Sequence, residues 1–402
     1  MGRGDRGLIT LVLVAGWLAS AQVGKVAPAL PALINEFGLT MVQAGWIASA
    51  ITSVAAICGV LSGLAVSVVG AAVGMLVGLG MLSLGSLMGM NADTADLLLA
   101  SRLLEGLGFV IVVVTGPSLL TTILADNPIR RQRFLVIWGA YMPVGVALMI
   151  GAAPLVLSLG GWRALWFLNA FLACVVFLVA FCWRKKLVSA NARGAISVTA
   201  LAGNLRLPGP WLMGLCFGCY TAAWFMLVTW LPSFAVSEMG FSLYAAAWLT
   251  AIAVVFNIAG NLSAQFFSRI GVPRWMVLAG VQLVIGGFGW LVFSSGFSAW
   301  VRSTAAMLAC GMAGALPATV FAGIPFHARK PDQVAVSNGI IMQCASLGSF
   351  AGPPAIAIVV TNLGGWDAGR WLIPLFAAIG FCAALILRGV EQRIAWRDDL
   401  QL

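Results

Sequence analysis

The chain has 402 residues, of which 61% are hydrophobic and only 8% charged, against about a quarter charged in an ordinary soluble domain. That excludes a soluble globular protein and predicts a polytopic membrane protein. The formal net charge of +10 raises nucleic acid or an anionic surface as a partner, so the positions of the basic residues must decide between those and membrane topology.

The start, MGRGDRG followed by an apolar run from Leu8 to about Leu33, is predicted to be an uncleaved first helix rather than a secretory signal, because many more spans follow. Apolar runs long enough to cross a bilayer, about 20 residues each, fall at 8–32, 42–66, 71–90, 97–122, 134–158, 164–183, 210–232, 244–267, 275–294, 299–325, 334–360 and 370–388. That makes twelve spans. Between the sixth and seventh lies the longest polar gap, Arg184 to Pro208, headed by WRKK. The expected organisation is therefore an N-terminal six-helix bundle over 1–183, a cytoplasmic linker over 184–209, and a C-terminal six-helix bundle with a short tail over 210–402.

If the N-terminus is cytoplasmic, 17 of the 22 basic residues fall in inner segments, and only Lys25, Arg102, Arg163, Arg302 and Arg370 lie in outer halves or outer loops. The positive-inside rule then predicts that both termini are cytoplasmic, and the expected setting is a bacterial inner membrane. Nucleic acid drops out as a partner. The eight cysteines are scattered along apolar segments without His at zinc spacing; they are expected to be small core residues, CFGC at 216–219 included. No enzyme constellation is present. The single histidine, His327, falls in an inner loop, and Asp93, Asp96, Asp398 and Asp399 fall in loops or the tail, so neither a cofactor nor a metal is expected.

Turn and glycine signals recur about half the chain length apart. Leu30-Pro31 returns as Leu231-Pro232, EFGLT at 36–40 as EMGFS at 238–242, and Gly70 as Gly271. Arg102 with Pro117 returns as Arg302 with Pro317, GAAP at 151–154 as AGPP at 351–354, and GGW at 160–162 as GGW at 364–366. Six ordered matches at nearly one offset argue for duplication of a six-span unit.

The most informative stretch is Asp96 to Thr122, DLLLASRLLEGLGFVIVVVTGPSLLTT, because Arg102 and Glu105 sit inside an apolar run. Ionisable groups at membrane depth cost about 2.5–3.5 kcal/mol each on insertion scales and tend to face a bundle interior or a wet cavity. The alternative is that Arg102 snorkels to the outer interface and pairs with Glu105 one turn on.

SRLLEGLG resembles the fourth-span motif of the major facilitator superfamily, GGWRALWFLNA (160–170) its segment entering the sixth span, and LPALINEFGLT the close of its first. The resemblance covers nearly the whole chain. It implies an all-α membrane fold of twelve transmembrane helices in two pseudo-symmetric six-helix bundles, with the substrate path between them near the midplane. Two departures stand out. The loop between spans two and three, GLAVSVVGAAVG (63–74), has no charge, whereas SAQFFSRIGVPR (263–274) keeps Arg269 and Arg274. The fifth span, GVALMIGAAPLVL (145–157), lacks the antiporter order Gly-Pro-x-x-Gly-Gly, which weighs against efflux.

First and fourth spans line the central cavity in that family, so Lys25, Arg102 and Glu105 are expected to share one pocket, two cations against one carboxylate. A net positive site favours an anionic group; a Lys25 that merely snorkels outward would be idle. In the second half the expected substrate-binding residues are Tyr220 and Trp224 on span seven, Asn257 on span eight and Gln343 on span eleven, with Arg302 and Asn338 further polar groups in apolar runs. Glycines at small-x-x-x-small spacing, Gly59 with Gly63, Gly74 with Gly78 and Gly85 with Gly89, are expected to mark close helix packing. The expected function is secondary transport of a small organic anion, inward and proton-coupled through Glu105, by a monomer. Proton-coupled efflux of drugs or metabolites is the alternative within transport; a non-transporting membrane sensor or assembly partner is the alternative outside it.

Overall fold

In hydrocarbon each backbone N–H and C=O must find its partner within the segment, which leaves helices as the way for a chain of this composition to cross a bilayer. The computed structural model describes residues 3–189, 207–327 and 331–399, and every regular element among them is a helix. In chain order the first half contains α1 (Arg3–Gly24), α2 (Val26–Phe37), α3 (Met41–Val69), α4 (Ala71–Met90), α5 (Ala95–Ile123), α6 (Pro128–Gly139), α7 (Tyr141–Cys182) and α8 (Arg184–Ser189). The second contains α9 (Pro208–Met239), α10 (Leu243–Arg269), α11 (Arg274–Val292), α12 (Ala299–Ala313), α13 (Ala315–His327), α14 (Pro331–Asn362), α15 (Trp366–Gly369) and α16 (Leu372–Asp399). Of the expected linker, residues 190–206, with Arg193 and Arg206, lie outside the described residues, as do Arg329 and Lys330.

Eleven helical stretches among the described residues are long and apolar enough to cross a membrane. One of them, α7, has 42 residues, roughly twice what a bilayer core needs at about 1.5 Å per residue. It is broken at Gly160 (φ −163°, ψ 25°) and Gly161 (φ 64°, ψ −165°), so it crosses twice and the count of twelve spans holds. Three spans that read as single runs are jointed. The first divides at Lys25 and the tenth at Gly314, while the fifth begins in α6 and continues into α7 past Ala140. At Lys25 the cause is local. Pro28 has no N–H to give the carbonyl of Gly24, so the helix loses one rung beside the lysine.

Local chemistry accounts for the helix ends. Thr40 and Gln43 form a reciprocal capping box at the start of α3, Thr94 accepts from Leu97 N–H at α5, and Asn127 caps α6 ahead of Pro128. Positive φ occurs only at glycine among the described residues, and three of these recur between the halves: Gly38 with Gly240, Gly70 with Gly271, and Gly161 with Gly365. Each side chain but hydrogen would be strained there. The repeat seen in the sequence is thus a repeat of helix stops.

The described residues form two compact units, one within Met1–Ala195 and Val228–Val255, the other within Ile196–Leu227 and Phe256–Leu402. The C-terminal part of α9 and the first half of α10 therefore group with the first unit, where Gly151 of α7 lies against Trp248 and Ala251. In that unit α1, α4, α5 and α7 enclose a core of Val12, Ala15, Leu79, Val112, Leu119 and Ala173. Without a hydrophobic drive between spans, close backbone approach has to supply the attraction. Glycines allow it: a Cβ on Gly78 would meet Gly108 O at 3.0 Å, and one on Gly145 would meet Trp17 O at 2.0 Å. The second unit repeats the device: a Cβ on Gly348 would run into Gly218 O, and one on Gly260 into Gly311 O.

Gly85 and Gly89 pack as their spacing predicts, but against functional side chains. A Cβ on Gly85 would stand 2.7 Å from Glu105 Cγ, and one on Gly89 2.4 Å from the Trp166 ring. Gly85→Val is expected to push α4 off α5 at a cost of about 1–3 kcal/mol, read as a lower midpoint of thermal unfolding in detergent. An unchanged midpoint would show that α4 has room to spare.

The cysteine expectation is met in part. Cys216, Cys219 and Cys310 are buried, but Cys174, Cys182 and Cys382 lie on exposed helix faces. Lipid tails are as apolar as a protein core, so sequence apolarity does not separate the two.

Candidate functional site

Gln22 in the last turn of α1 and Lys25 just past its end lie one helical turn apart, while Gly145 and Gly24 bring α7 hard against that helix. On the other side α5 presents Arg102 and Glu105, and α4, brought close by Gly85, presents Ser86. Gln22, Lys25, Ser86, Arg102 and Glu105 are all fully buried. Neither cation snorkels.

The bonding is specific. Lys25 Nζ donates to Gln22 Oε1 at 2.6 Å, to Ser86 Oγ at 3.0 Å and to Glu105 Oε1 at 2.5 Å. All three ammonium protons are used, so the position is built for a charged lysine. Beneath it lies the ring of Trp166, 4.5 Å from Nζ, a cation–π contact that stands in for lost hydration. Glu105 is engaged at both oxygens. Its Oε1 also accepts from Ser86 Oγ at 2.8 Å, and its Oε2 accepts from Arg102 Nη1. Arg102 Nη1 gives its second proton to the main-chain oxygen of Gln22 at 2.9 Å. The cluster thus holds two cations and one carboxylate fully buried, a formal excess of one positive charge.

Three of the residues singled out in the sequence, Lys25, Arg102 and Glu105, are therefore brought together in one network. Gln22, Ser86 and Trp166 complete it and were missed. Gln22 carried a usable signal, since it precedes Lys25 by three residues and so shares its helix face. Ser86 lies among glycines that read only as packing.

In the second unit Asn257 Nδ2 donates to Tyr220 Oη at 3.2 Å and to Cys310 O at 2.7 Å. Tyr220 stacks at a tilt on Phe217, and Trp224 packs edge-on against Phe225. All three are buried, whereas Gln343 on α14 is half-buried. Arg302 is buried as Arg102 is, and donates Nε to Val292 O at 2.9 Å. His327 is not a loop residue: it ends α13, 5% exposed, and its Nε2 lies 3.3 Å from Glu391, which also pairs with Arg274. Among the described residues no group of His, Cys, Asp or Glu is arranged to hold a metal ion.

Comparison with known proteins agrees with this architecture. Over 363 residues the chain is 25% identical to the methylenomycin A resistance protein of Streptomyces coelicolor, covering 76% of this chain and 74% of that one. It is 25% identical to the 2-nitroimidazole transporter of Escherichia coli, covering 67% and 70%. Against the cyanate transport protein of the same organism it is 26% identical over 196 residues, about half of each chain. A bacterial homologue of the human lysosomal transporter Spinster, solved inward-facing and unoccupied, shares the fold with a TM-score of 0.77, covering 99% of both chains at 14% identity. The sequence profile of the Major Facilitator Superfamily matches residues 12–353. With that match over most of the chain and an all-helical, multi-pass architecture, the chain belongs to the Major Facilitator Superfamily and is a membrane transporter rather than an enzyme.

Proposed function

We propose that this transporter carries a small organic anion inward together with a proton, by alternating access of two six-helix bundles, and that Glu105 is the proton carrier. The observation that supports the reading most is the excess of charge in the buried cluster: Lys25 and Arg102 against Glu105 alone. Buried ion pairs stabilise a fold poorly compared with apolar packing, so three charges at this depth are kept for a task.

The linkage follows from Coulomb's law. With Glu105 ionised the cluster carries one net positive charge; with Glu105 protonated it carries two. An anion is bound better by the second state, and a bound anion in turn favours proton uptake by the same factor. Proton and anion enter together. Tyr220, Trp224, Asn257 and Gln343 complete the proposed substrate-binding set on the second half.

By its name the cyanate transport protein handles a small anion, in line with this reading. The names of the other two relatives, a resistance protein and a nitroimidazole transporter, favour efflux as the second reading. Efflux by proton exchange needs substrate and proton to compete for one site, whereas this cluster makes them help each other. The deciding experiment is carboxylate uptake into proteoliposomes with and without an inward proton gradient: symport predicts stimulation by external acid, antiport inhibition.

For the setting we propose a bacterial inner membrane, with a monomer whose termini are both cytoplasmic, as the basic residues require. A cysteine placed at Ala192, which lies outside the described residues, is expected to resist impermeant thiol reagents in intact cells. Strong labelling there would reverse the orientation.

A further inference from the structure

Arg102 uses only one of its three guanidinium nitrogens. Nη1 is spent on Glu105 and on the main-chain oxygen of Gln22, while Nε and Nη2 have no hydrogen-bond partner among the described residues although the side chain is fully buried. Those two nitrogens form one edge of the planar guanidinium, with two N–H bonds pointing the same way. That edge matches the two oxygens of a carboxylate.

Gln22 adds to it. Lys25 is a donor only, so its bond fixes Oε1 of Gln22 toward the ammonium and turns the amide nitrogen the other way. Nε2 is also buried and without a partner among the described residues, on the residue whose main chain Arg102 grips. A buried donor left unmade is costly, and the surplus here lies beside a surplus of positive charge. Cost and charge are relieved by one kind of ligand.

We infer that the Nε/Nη2 edge of Arg102 and the amide nitrogen of Gln22 form a seat for a carboxylate, gripped side-on at two oxygens, which makes Gln22 a specificity-determining residue. The inference rests on the anion–proton reading and narrows it. Lys25 supplies charge and holds Gln22 in register but does not touch the substrate; a monatomic anion would satisfy the charge but not the paired donors. The seat is buried on every side in this conformation, so it is reached when the surrounding helices part.

The test is thermal stabilisation of purified protein at matched ionic strength by acetate, lactate, benzoate and succinate, against chloride, thiocyanate and the uncharged benzamide. True ligands raise the midpoint by mass action. At least one carboxylate is expected to stabilise the wild type with an affinity ten-fold or more above chloride and benzamide. Arg102→Lys keeps the charge and a donor for Glu105 but removes the paired edge, and should erase the preference for carboxylate over chloride. Gln22→Glu keeps the oxygen that Lys25 needs and replaces the donor by an acceptor; carboxylate binding should be lost.

If chloride and thiocyanate stabilise the wild type as well as any carboxylate, the two-point seat is wrong while the anion reading stands. The same holds if Arg102→Lys retains the preference. If no anion in the panel stabilises the wild type, the seat falls, and normal uptake by Lys25→Ala would take the anion reading with it. The wild-type comparison needs no variant to fold.

Discussion

Lys25→Ala is expected to abolish anion uptake into proteoliposomes, by at least about a hundred-fold. Its ammonium donates to Gln22, Ser86 and Glu105 and rests on Trp166. Removing it leaves Glu105 paired with Arg102 alone, so the cluster becomes neutral and loses its excess charge. At an effective dielectric of about 20, a unit charge one side chain away from the anion is still worth a few kcal/mol, the order of a loss of this size. Stability should suffer less than in a lone ion-pair break, for which about 3–5 kcal/mol is usual, because Arg102 still neutralises the carboxylate. Lys25→Arg keeps the charge but carries its donors on a planar fork instead of a tetrahedral head; partial activity is expected from it. Full uptake by Lys25→Ala would remove the charge argument.

Glu105→Gln should have an effect equally large but different in kind. Glutamine fills nearly the same volume, and its oxygen can still accept one of the bonds now shared by Lys25, Ser86 and Arg102. The cluster then holds two positive charges permanently, the state that otherwise requires a proton. Anion affinity should rise and exchange of anion for anion should persist, while accumulation driven by an inward proton gradient should disappear. Uptake by the wild type should increase as the outside is acidified and that of Glu105→Gln should not change. Retention of gradient-driven accumulation would place the proton on another group.

How much of this was legible in the sequence depends on the length scale of the physics involved. Span number, the repeat and the helix stops are local matters: apolar length sets the first, and glycine at positive φ sets the last, as Gly38 with Gly240 and Gly161 with Gly365 demonstrate. The joints at Ala140 and Gly314 escaped because a short interruption leaves hydropathy unchanged. Lys25, Arg102 and Glu105 could be grouped because a charge in an apolar run is rare enough to need a partner, and these were the candidates in the first and fourth spans. Gln22, Ser86 and Trp166 are neutral, and their roles come from tertiary packing. Trp166 stands beneath Lys25 only because Gly89 leaves room for its ring. His327 read as a loop residue because basic residues crowd the positions after it, yet it lies at a buried helix end beside Glu391, which also pairs with Arg274.

The central claim is that anion and proton bind together at one cluster, and proton counting tests it most directly. Purified protein in weakly buffered detergent solution is mixed, across a series of starting pH values, with the carboxylate that stabilises it best, and the change in pH is recorded at saturation. The account predicts net proton uptake on anion binding by the wild type and none by Glu105→Gln, with anion binding intact in both. Anion binding by the wild type without proton uptake, or with proton release, would contradict it.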